Sequence, residues 1–332
     1  MLVVGPNGAG KTNLLEALHL AGQGFSPRTR SDADLIRFGE TAGRVALAAR
    51  SDGAPFDVEL ILRAGEAKRA RVNGAPLAAA EQLRTRAAVL VFTPDRLAIV
   101  KGGPAARRAY FDRALGRLSP ARATLPAEYA AAVGQRNAAL RRVGLGFSSR
   151  EALAPWTQRV ADLGGQLVQT RVQTVTALAP GFGEHMNALG LEPGRLVYTG
   201  EPPTREQLEG RLERDLERGT TGLGPHLDDV GILAGRRDLR VFGSQGEQRL
   251  AVLSLLLAEA ELLRERRSLT PLLLLDDVLS ELDAERRRHL VERLGSGAQA
   301  LVSATEASAL AAEPAQLVEV APGVARAVGR GG

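Results

Sequence analysis

An eight-residue loop near the start of the chain has the residue types and spacing of a phosphate-binding loop. Its sequence, GPNGAGKT, matches the pattern G-x-x-x-x-G-K-[ST]. Glycines allow the backbone to turn so that successive N–H groups point at one anion. Lys11 would reach the β and γ phosphates of a nucleotide, and the hydroxyl of Thr12 would be a ligand of Mg²⁺. The candidate nucleotide-binding residues are Gly5, Pro6, Asn7, Gly8, Ala9, Gly10, Lys11, Thr12 and Asn13.

The segments on either side of this loop have the pattern that a phosphate loop requires. Residues 2–4 predict a short apolar strand, and residues 13–20 predict a helix with Leu14, Leu15 and Leu18 on one side. The N-terminus of that helix would add partial positive charge to an anion site. This context favours a nucleotide-binding loop over a glycine-rich turn that matches by chance.

A second candidate site lies at residues 272–277, where four leucines precede two aspartates. The run predicts a buried strand of a parallel sheet, and such sheets bind ligands at the carboxyl ends of their strands. Asp276 would orient Mg²⁺ or a water bound to it. Asp277 would be the general base or would position the attacking water. The alternative is a strand that simply ends in an Asp-rich turn, which the phosphate loop in the same chain makes weaker.

Residues 242–249, FGSQGEQR, could supply a further phosphate contact. Ser244 followed three residues later by Glu247 predicts a capping box at the start of a helix. That pattern leaves Gly246 unexplained, because glycine lowers helix stability. A glycine in the first turn lets a ligand approach the helix N-terminus closely, and a phosphate is the natural candidate.

The composition indicates a globular protein. Its 332 residues suggest about two domains, and a cysteine count of zero excludes disulfides. The net charge of +5 favours an anionic partner. However, lysine occurs only at positions 11, 68 and 101 while arginine is abundant, which also fits a coding bias. No apolar run approaches the ~20 residues of a membrane span and no signal peptide is recognisable, so we expect a cytoplasmic protein without a membrane partner.

The predicted elements divide the chain into three segments. Alternation in 44–50, 56–63 and 67–72 predicts a small antiparallel sheet. Residues 104–218 are mostly helical in pattern, and the helical spacing of Trp156 with apolar residues places it in a core. Strands resume at about residue 220 and include 239–241. The fold class is therefore α/β, with 1–103 and 219–332 as two parts of one domain and 104–218 as a helical insertion.

The motifs together resemble those of an ABC-type ATPase. GPNGAGKT resembles the Walker A motif, SQGEQR the signature motif, LLLLDD the Walker B motif and SELD at 280–283 the D-loop. More narrowly, nearly the whole chain resembles the RecF family, which are ABC-type recombination mediators of bacteria. The stretches that carry this narrower resemblance are TPD at 93–95, GGPAARRAYFD at 102–112, QRNAAL at 135–140, GPHLDD at 224–229 and DDVLSELD at 276–283.

This resemblance implies a fold and a function. The fold would be an ABC-type ATPase head, with a mixed sheet around the phosphate loop as lobe I and the mostly helical insertion as lobe II. The protein would bind DNA as an ATP-dependent homodimer in gap repair and replication, and would hydrolyse ATP slowly. Its partners would be RecR and RecO-type proteins, with which it would help to load RecA.

The resemblance also implies roles for individual residues. Lys11 and Thr12 would bind ATP and Mg²⁺. In ABC ATPases the signature motif acts on the nucleotide of the partner subunit, so Ser244 and Gly246 would contact a γ-phosphate held by a second copy. Thr305 lies where other ABC proteins have a switch histidine. The implied catalytic residues are Asp277, Asp276 and Ser244, and the implied metal ligands are Thr12 and Asp276.

Basic residues on two predicted elements are candidate DNA contacts, although each could also be a solvated charge. They are Lys68, Arg69 and Arg71 on the predicted hairpin, and Arg136, Arg141 and Arg142 on an insertion helix. His226 is interpreted as a structural histidine rather than a nucleotide contact.

Three other functions stay open at this point. A genome-maintenance ATPase of the SMC or RecN type would need a longer insertion with heptads, and a transport ATPase subunit would lack the region around QRN. A DNA clamp that keeps ATP as a ligand with negligible turnover is compatible with Asp277, since Glu is commoner at that position. Two family features are not recognisable: the strand pair ahead of the phosphate loop and the Q-loop glutamine, for which Asp95 is the nearest polar group.

Overall fold

Strands dominate the two ends of the chain and helices dominate its middle. The computed structural model describes residues 1–29, 31–51, 54–85, 88–295, 299–310 and 312–328. The strands are β1 (Leu2–Val4), β2 (Ala42–Ser51), β3 (Ala54–Arg63), β4 (Arg69–Val72), β5 (Ala75–Pro76), β6 (Val89–Phe92), β7 (Gly194–Thr199), β8 (Asp229–Ala234), β9 (Arg237–Asp238), β10 (Leu272–Leu275), β11 (Gln299–Ala304), β12 (Leu317–Ala321) and β13 (Val324–Val328). The α-helices are α1 (Lys11–Gln23), α2 (Ala98–Lys101), α3 (Pro104–Leu118), α4 (Leu125–Gly144), α5 (Ala154–Ala188), α6 (Arg205–Gly210), α7 (Leu212–Arg218), α8 (Leu239–Phe242), α9 (Gln245–Arg267) and α10 (Ala284–Gly295).

The chain divides into two units, Met1–Arg96 with Leu263–Gly332, and Leu97–Leu262. This division differs from the expected boundaries, because residues 219–262 group with the helical unit. The reason is strand pairing: β8 pairs with β7 and β9 pairs with β8, all within the second unit. In addition, Arg107 of α3 donates to both carboxylate oxygens of Asp229 at the start of β8, over 2.6 and 2.7 Å.

The first unit contains the sheet that carries the phosphate loop. Its strand order is β13-β12-β1-β11-β10-β6, and all neighbours are parallel except the antiparallel pair of β12 and β13. The expected α/β fold with a mixed sheet is confirmed. Val3, Val91, Leu274 and Leu301, one from each of the parallel strands β1, β6, β10 and β11, form one buried cluster with Leu15 of α1. This packing explains why these strands are continuous apolar runs.

The expected antiparallel sheet, in the order β2-β3-β4-β5, is also confirmed in the first unit. Alternate residues of β3 are buried, namely Val58, Leu60 and Leu62. β4 is followed by Asn73 and Gly74, whose positive φ angles of 50° and 78° make the tight turn that an Asn-Gly pair favours. The sheet therefore has one apolar face and one face rich in charged side chains.

The second unit is built mainly from α3, α4 and α5. Leu115, Tyr129, Val133, Val160 and Leu167 form its buried cluster, with contributions from all three helices. β7, β8 and β9 form a separate antiparallel sheet in this unit. No helix in the described part of the chain combines the length and hydropathy needed to cross a bilayer.

Two expectations about the second unit were wrong. Trp156 is 36% exposed, because the buried side of α5 begins at Thr157 and Val160 instead. Residues 239–241 form a helical turn in α8 rather than a strand. Asp238 causes this, since its carboxylate accepts the backbone N–H of Arg240 and caps the turn.

Candidate nucleotide site

The phosphate loop connects β1 to α1 and depends on its glycines. Gly8 and Gly10 have φ angles of 80° and 107°, a left-handed conformation that glycine adopts without strain. A Cβ atom on Gly5 would lie 2.3 Å from the carbonyl oxygen of Val320, so no larger residue fits there. The loop leads directly into α1, which begins at Lys11. Its backbone N–H groups are therefore placed to bind an anion.

The Lys11 ammonium lies against the loop itself. Its Nζ donates to the carbonyl oxygens of Gly5 at 2.7 Å and Pro6 at 3.1 Å, and the side chain is buried. The cation is thus held within the phosphate loop, and its contact with the β and γ phosphates stays a prediction.

A chain of hydrogen bonds connects the phosphate loop to the end of β10. The hydroxyl of Thr12 donates to Oδ2 of Asp276 over 2.8 Å. Asp276 is 5% exposed, and its Oδ1 accepts a 2.7 Å hydrogen bond from the hydroxyl of Ser303. The two proposed metal ligands are therefore in direct contact, and each oxygen of the carboxylate is held by a hydroxyl.

Ser303 is a site residue that the sequence reasoning missed. It is fully buried, and its hydroxyl oxygen also accepts the backbone N–H of Asp277 at 2.8 Å. β10 and β11 are parallel with Leu275 opposite Val302, so Asp276 and Ser303 are neighbours at the same sheet edge. The sequence signal for Ser303 is a polar residue near the end of the apolar strand 299–304, two positions before the candidate Thr305.

Asp277 presents its carboxylate to solvent. The residue is exposed and has φ 51°, a left-handed conformation that Asp tolerates better than most residues. Its carbonyl oxygen accepts the hydroxyl of Ser280 over 2.9 Å, and its carboxylate has no hydrogen-bond partner among the described residues. Thr305 is exposed just beyond the end of β11. Both side chains are thus accessible to a ligand.

The signature segment starts α9 with the expected capping box. The Ser244 N–H donates to the Glu247 carboxylate at 2.8 Å, and the Glu247 N–H donates to the Ser244 hydroxyl at 3.2 Å. The hydrogen bond from the Ser244 backbone, together with Arg237, lowers the pKa of Glu247. Gly246 is exposed, and a Cβ there would meet no atom within 4 Å. A larger residue at position 246 would therefore not collide with any described residue, and the first turn of α9 is open to an incoming group.

Five of the six candidate DNA contacts are at least partly accessible. Lys68 is half-buried beside Asp32, with 3.1 Å between the charged atoms. Arg69 and Arg71 are exposed and lie 3.3 Å from Glu66 and 3.7 Å from Glu59. Arg141 and Arg142 are exposed in the last turn of α4.

Arg136 was a wrong candidate, because it is fully buried in the second unit. Its guanidinium donates to the Asp215 carboxylate at 2.7 Å and to the Thr221 hydroxyl at 2.9 Å. His226 lies nearby, with Nδ1 2.8 Å from the Tyr129 hydroxyl and Nε2 2.9 Å from the Thr221 carbonyl oxygen. Burial lowers the pKa of His226, consistent with a neutral structural histidine. The QRN and GPHLDD stretches thus meet in one buried network.

Known proteins with similar sequences share one description. The family model for the RecF/RecN/SMC N terminal domain matches residues 1–325. The DNA replication and repair protein RecF of Heliobacterium modesticaldum is 34% identical, with 94% of this chain and 88% of that protein covered. The protein of the same name from Myxococcus xanthus is 36% identical, with coverage of 92% and 85%.

Solved structures give the same result. The recombination mediator protein RecF, solved with ATP and assigned to the RecFOR pathway, matches with a TM-score of 0.87 and 28% identity over 99% of this chain and 91% of that chain. An Smc head domain from Pyrococcus yayanosii matches with a TM-score of 0.58 at 14% identity, which indicates a shared fold. The chain therefore belongs to the RecF family of DNA replication and repair proteins.

Proposed function

We propose that this chain is an ATP-binding protein of DNA replication and repair whose nucleotide site lies between the phosphate loop and the ends of β10 and β11. One observation carries the proposal: the continuous hydrogen bonds from Thr12 through Asp276 to Ser303 and the backbone of Asp277. A buried carboxylate held on both oxygens is oriented before any ligand arrives. Such preorganisation is what phosphoryl chemistry demands, since its catalysis is mainly positioning and electrostatics.

The residues present fit a magnesium nucleotide. Thr12 and Asp276 offer a hydroxyl and a carboxylate, which are oxygen ligands of the type that Mg²⁺ prefers. The described residues contain no cluster of three or more metal-ligating side chains, and a nucleotide-bound Mg²⁺ needs none because phosphates and waters complete its shell. The bound ion would neutralise charge on the phosphate oxygens.

Slow hydrolysis is the chemistry that these residues support. The exposed carboxylate of Asp277 would orient the attacking water and accept its proton. Lys11 would stabilise the negative charge on the β and γ phosphates. Asp277 is one methylene shorter than Glu, so its carboxylate reaches less far towards the water. A DNA clamp that keeps ATP bound without turnover remains the second candidate, and this short reach is the observation that favours it.

A homodimer would complete the site. Ser244 and Gly246 are exposed at the start of α9, where a helix N-terminus and a small side chain would suit a phosphate held by a second copy. ATP would thus join two chains, and the dimer would bind DNA and work with RecR and RecO-type proteins in loading RecA. The names of its relatives and the net charge of +5 support DNA as the partner.

Calorimetry on Lys11→Ala tests the nucleotide site. Lys11 is the only cationic side chain in the loop, and a charge-assisted contact contributes about 1.5–3 kcal/mol, so ATP affinity should fall at least about tenfold. Lys101→Ala is the matched control, because Lys101 is an exposed lysine of α2 outside the loop. Unchanged ATP affinity in the folded Lys11 variant would remove the basis for this site.

A further inference from the structure

Three polar side chains form a row across neighbouring strands at the carboxyl edge of the parallel sheet. Phe92, Leu275 and Val302 are in register on β6, β10 and β11, so the next residues, Thr93, Asp276 and Ser303, are in register too. The ladder continues to this row, since the Asp276 N–H donates to the Phe92 carbonyl oxygen at 2.9 Å. Asp276 and Ser303 already belong to the nucleotide site, and Thr93 is their unassigned neighbour.

Strand alternation places this row on the face that carries the phosphate loop. Val91, Leu274 and Leu301 lie two residues before the three polar residues, and side chains two apart share a face. These apolar residues pack with Ala9 of the loop and Leu15 of α1. The hydrogen bond from Thr12 to Asp276 shows this directly for the middle residue of the row.

The Thr93 hydroxyl has no partner although it is buried. Thr93 is 4% exposed, and its Oγ1 forms no hydrogen bond within the described part of the chain. Asp276 lies in the same row, but its two oxygens accept from Thr12 and Ser303, and it forms no hydrogen bond with Thr93. Unpaired buried hydroxyls are rare in native proteins and call for an explanation such as a bound water or ion.

We propose that the Thr93 hydroxyl hydrogen-bonds to a water molecule in the coordination shell of the Mg²⁺ that accompanies ATP. This inference rests on the proposed ATP-binding function. Magnesium keeps several waters when it binds through one or two protein ligands and substrate phosphates. A hydroxyl can donate to or accept from such waters, and hydrogen bonds of this kind orient the ligands of a metal. Thr93 is thus a positioning residue beside Asp276.

Thr93→Val removes the hydroxyl and keeps the shape of the side chain. In calorimetry its affinity for ATP with Mg²⁺ should be about three- to tenfold lower than that of the wild-type chain, the effect of one hydrogen bond. Its affinity for ATP in EDTA should be unchanged. Thr93→Ser should restore the wild-type affinity with Mg²⁺. Ser254→Ala is the matched control, because it removes another buried unpaired hydroxyl, located in α9.

The Tm without nucleotide distinguishes this role from a structural one. Deleting an unpaired buried hydroxyl should leave the Tm of Thr93→Val unchanged or raise it. A lower Tm, an equal loss of affinity in EDTA, or wild-type affinity with Mg²⁺ would each overturn the inference. If the wild-type chain itself fails to bind ATP, the proposed function fails; if the wild type binds and Thr93→Val binds equally well, only this inference fails.

Discussion

Asp277 combines an uncommon backbone conformation with an unpaired carboxylate. Its φ of 51° costs on the order of 1 kcal/mol or more, and the Ser303 hydroxyl offsets part of this by accepting the Asp277 N–H. The turn ends the strand sharply and leaves the side chain exposed, one residue after a buried carboxylate. Two adjacent aspartates thereby have different environments, which suits different roles at a nucleotide.

Asp277→Asn should nearly abolish ATP turnover while preserving the local structure. Asn tolerates the left-handed conformation as well as Asp does, but it cannot accept a proton. Loss of a general base typically lowers the rate by about 100-fold or more, so phosphate release should fall by that factor while ATP affinity stays within about twofold. Asp162→Asn, an exposed aspartate of α5, serves as the control. Turnover that survives the Asp277 change would assign the base to another residue.

Site residues within a local motif could be predicted from the sequence, whereas residues brought to the site by packing could not. GPNGAGKT and LLLLDD indicated Lys11, Thr12 and Asp276 because their spacing is local. Ser303 and Thr93 join the site through strand register, and Ser303 lies 27 residues from Asp276, a relation that no local pattern contains. Arg136 was misassigned for the same reason. Its carboxylate partner, Asp215, is 79 residues away in the sequence, so no local pattern indicates that this arginine is buried in an ion pair.

At the scale of elements, polar contacts connect α4 to α7 and to the loop before β8. Arg136 binds Asp215, Asn137 accepts the Thr221 N–H at 2.7 Å, and the Tyr129 hydroxyl contacts His226. These contacts explain why 219–234 belongs with the helical unit. The sequence predicted β8 but not its partner β7, since the six residues of β7 stand within the segment 104–218, whose pattern was mostly helical, and offered no separate signal.

Arg136→Met should destabilise the second unit strongly. Removing one partner of a buried ion pair leaves an uncompensated charge, which costs about 3–5 kcal/mol. The unfolding midpoint in urea should fall accordingly, whereas Arg141→Met on the exposed side of α4 should change stability by less than about 0.5 kcal/mol. The double variant Arg136→Met with Asp215→Leu should recover much of the loss. A minor effect of Arg136→Met would mean that the pair is not buried in solution.

At the scale of the whole molecule, one chain carries both parts that the proposed composite nucleotide site would need from two copies. The phosphate loop and the end of β10 belong to the first unit, and the exposed N-terminus of α9 belongs to the second. If the signature acts on the nucleotide of another copy, ATP becomes the element that joins two chains. Accessible basic residues such as Arg69, Arg71, Arg141 and Arg142 would then be present twice in each assembly, which raises the local positive charge that a DNA backbone meets.

Ser244→Arg should separate ATP binding from dimerisation. An arginine at the exposed first turn of α9 fills the space that a phosphate would need, while the phosphate loop in the same chain is untouched. Light scattering should show monomers without nucleotide and dimers with ATP and Mg²⁺ for the wild-type chain, but monomers throughout for the variant, which should still bind ATP in calorimetry. Ser149→Arg, at an exposed serine between α4 and α5, adds the same charge elsewhere and should dimerise normally.

In the same set of variants, the affinity for DNA should increase with ATP only in the chains that dimerise. ATP should strengthen binding of duplex DNA by the wild-type chain and by Ser149→Arg, and should have no effect on Ser244→Arg. If about five phosphates are contacted, log affinity should fall against log salt concentration with a slope of about −4.5, because counterions are released. Equal DNA binding by monomer and dimer would mean that the arginines reflect composition and that ATP does not gate the interaction. A Ser244→Arg chain that still dimerises with ATP would refute the composite site itself.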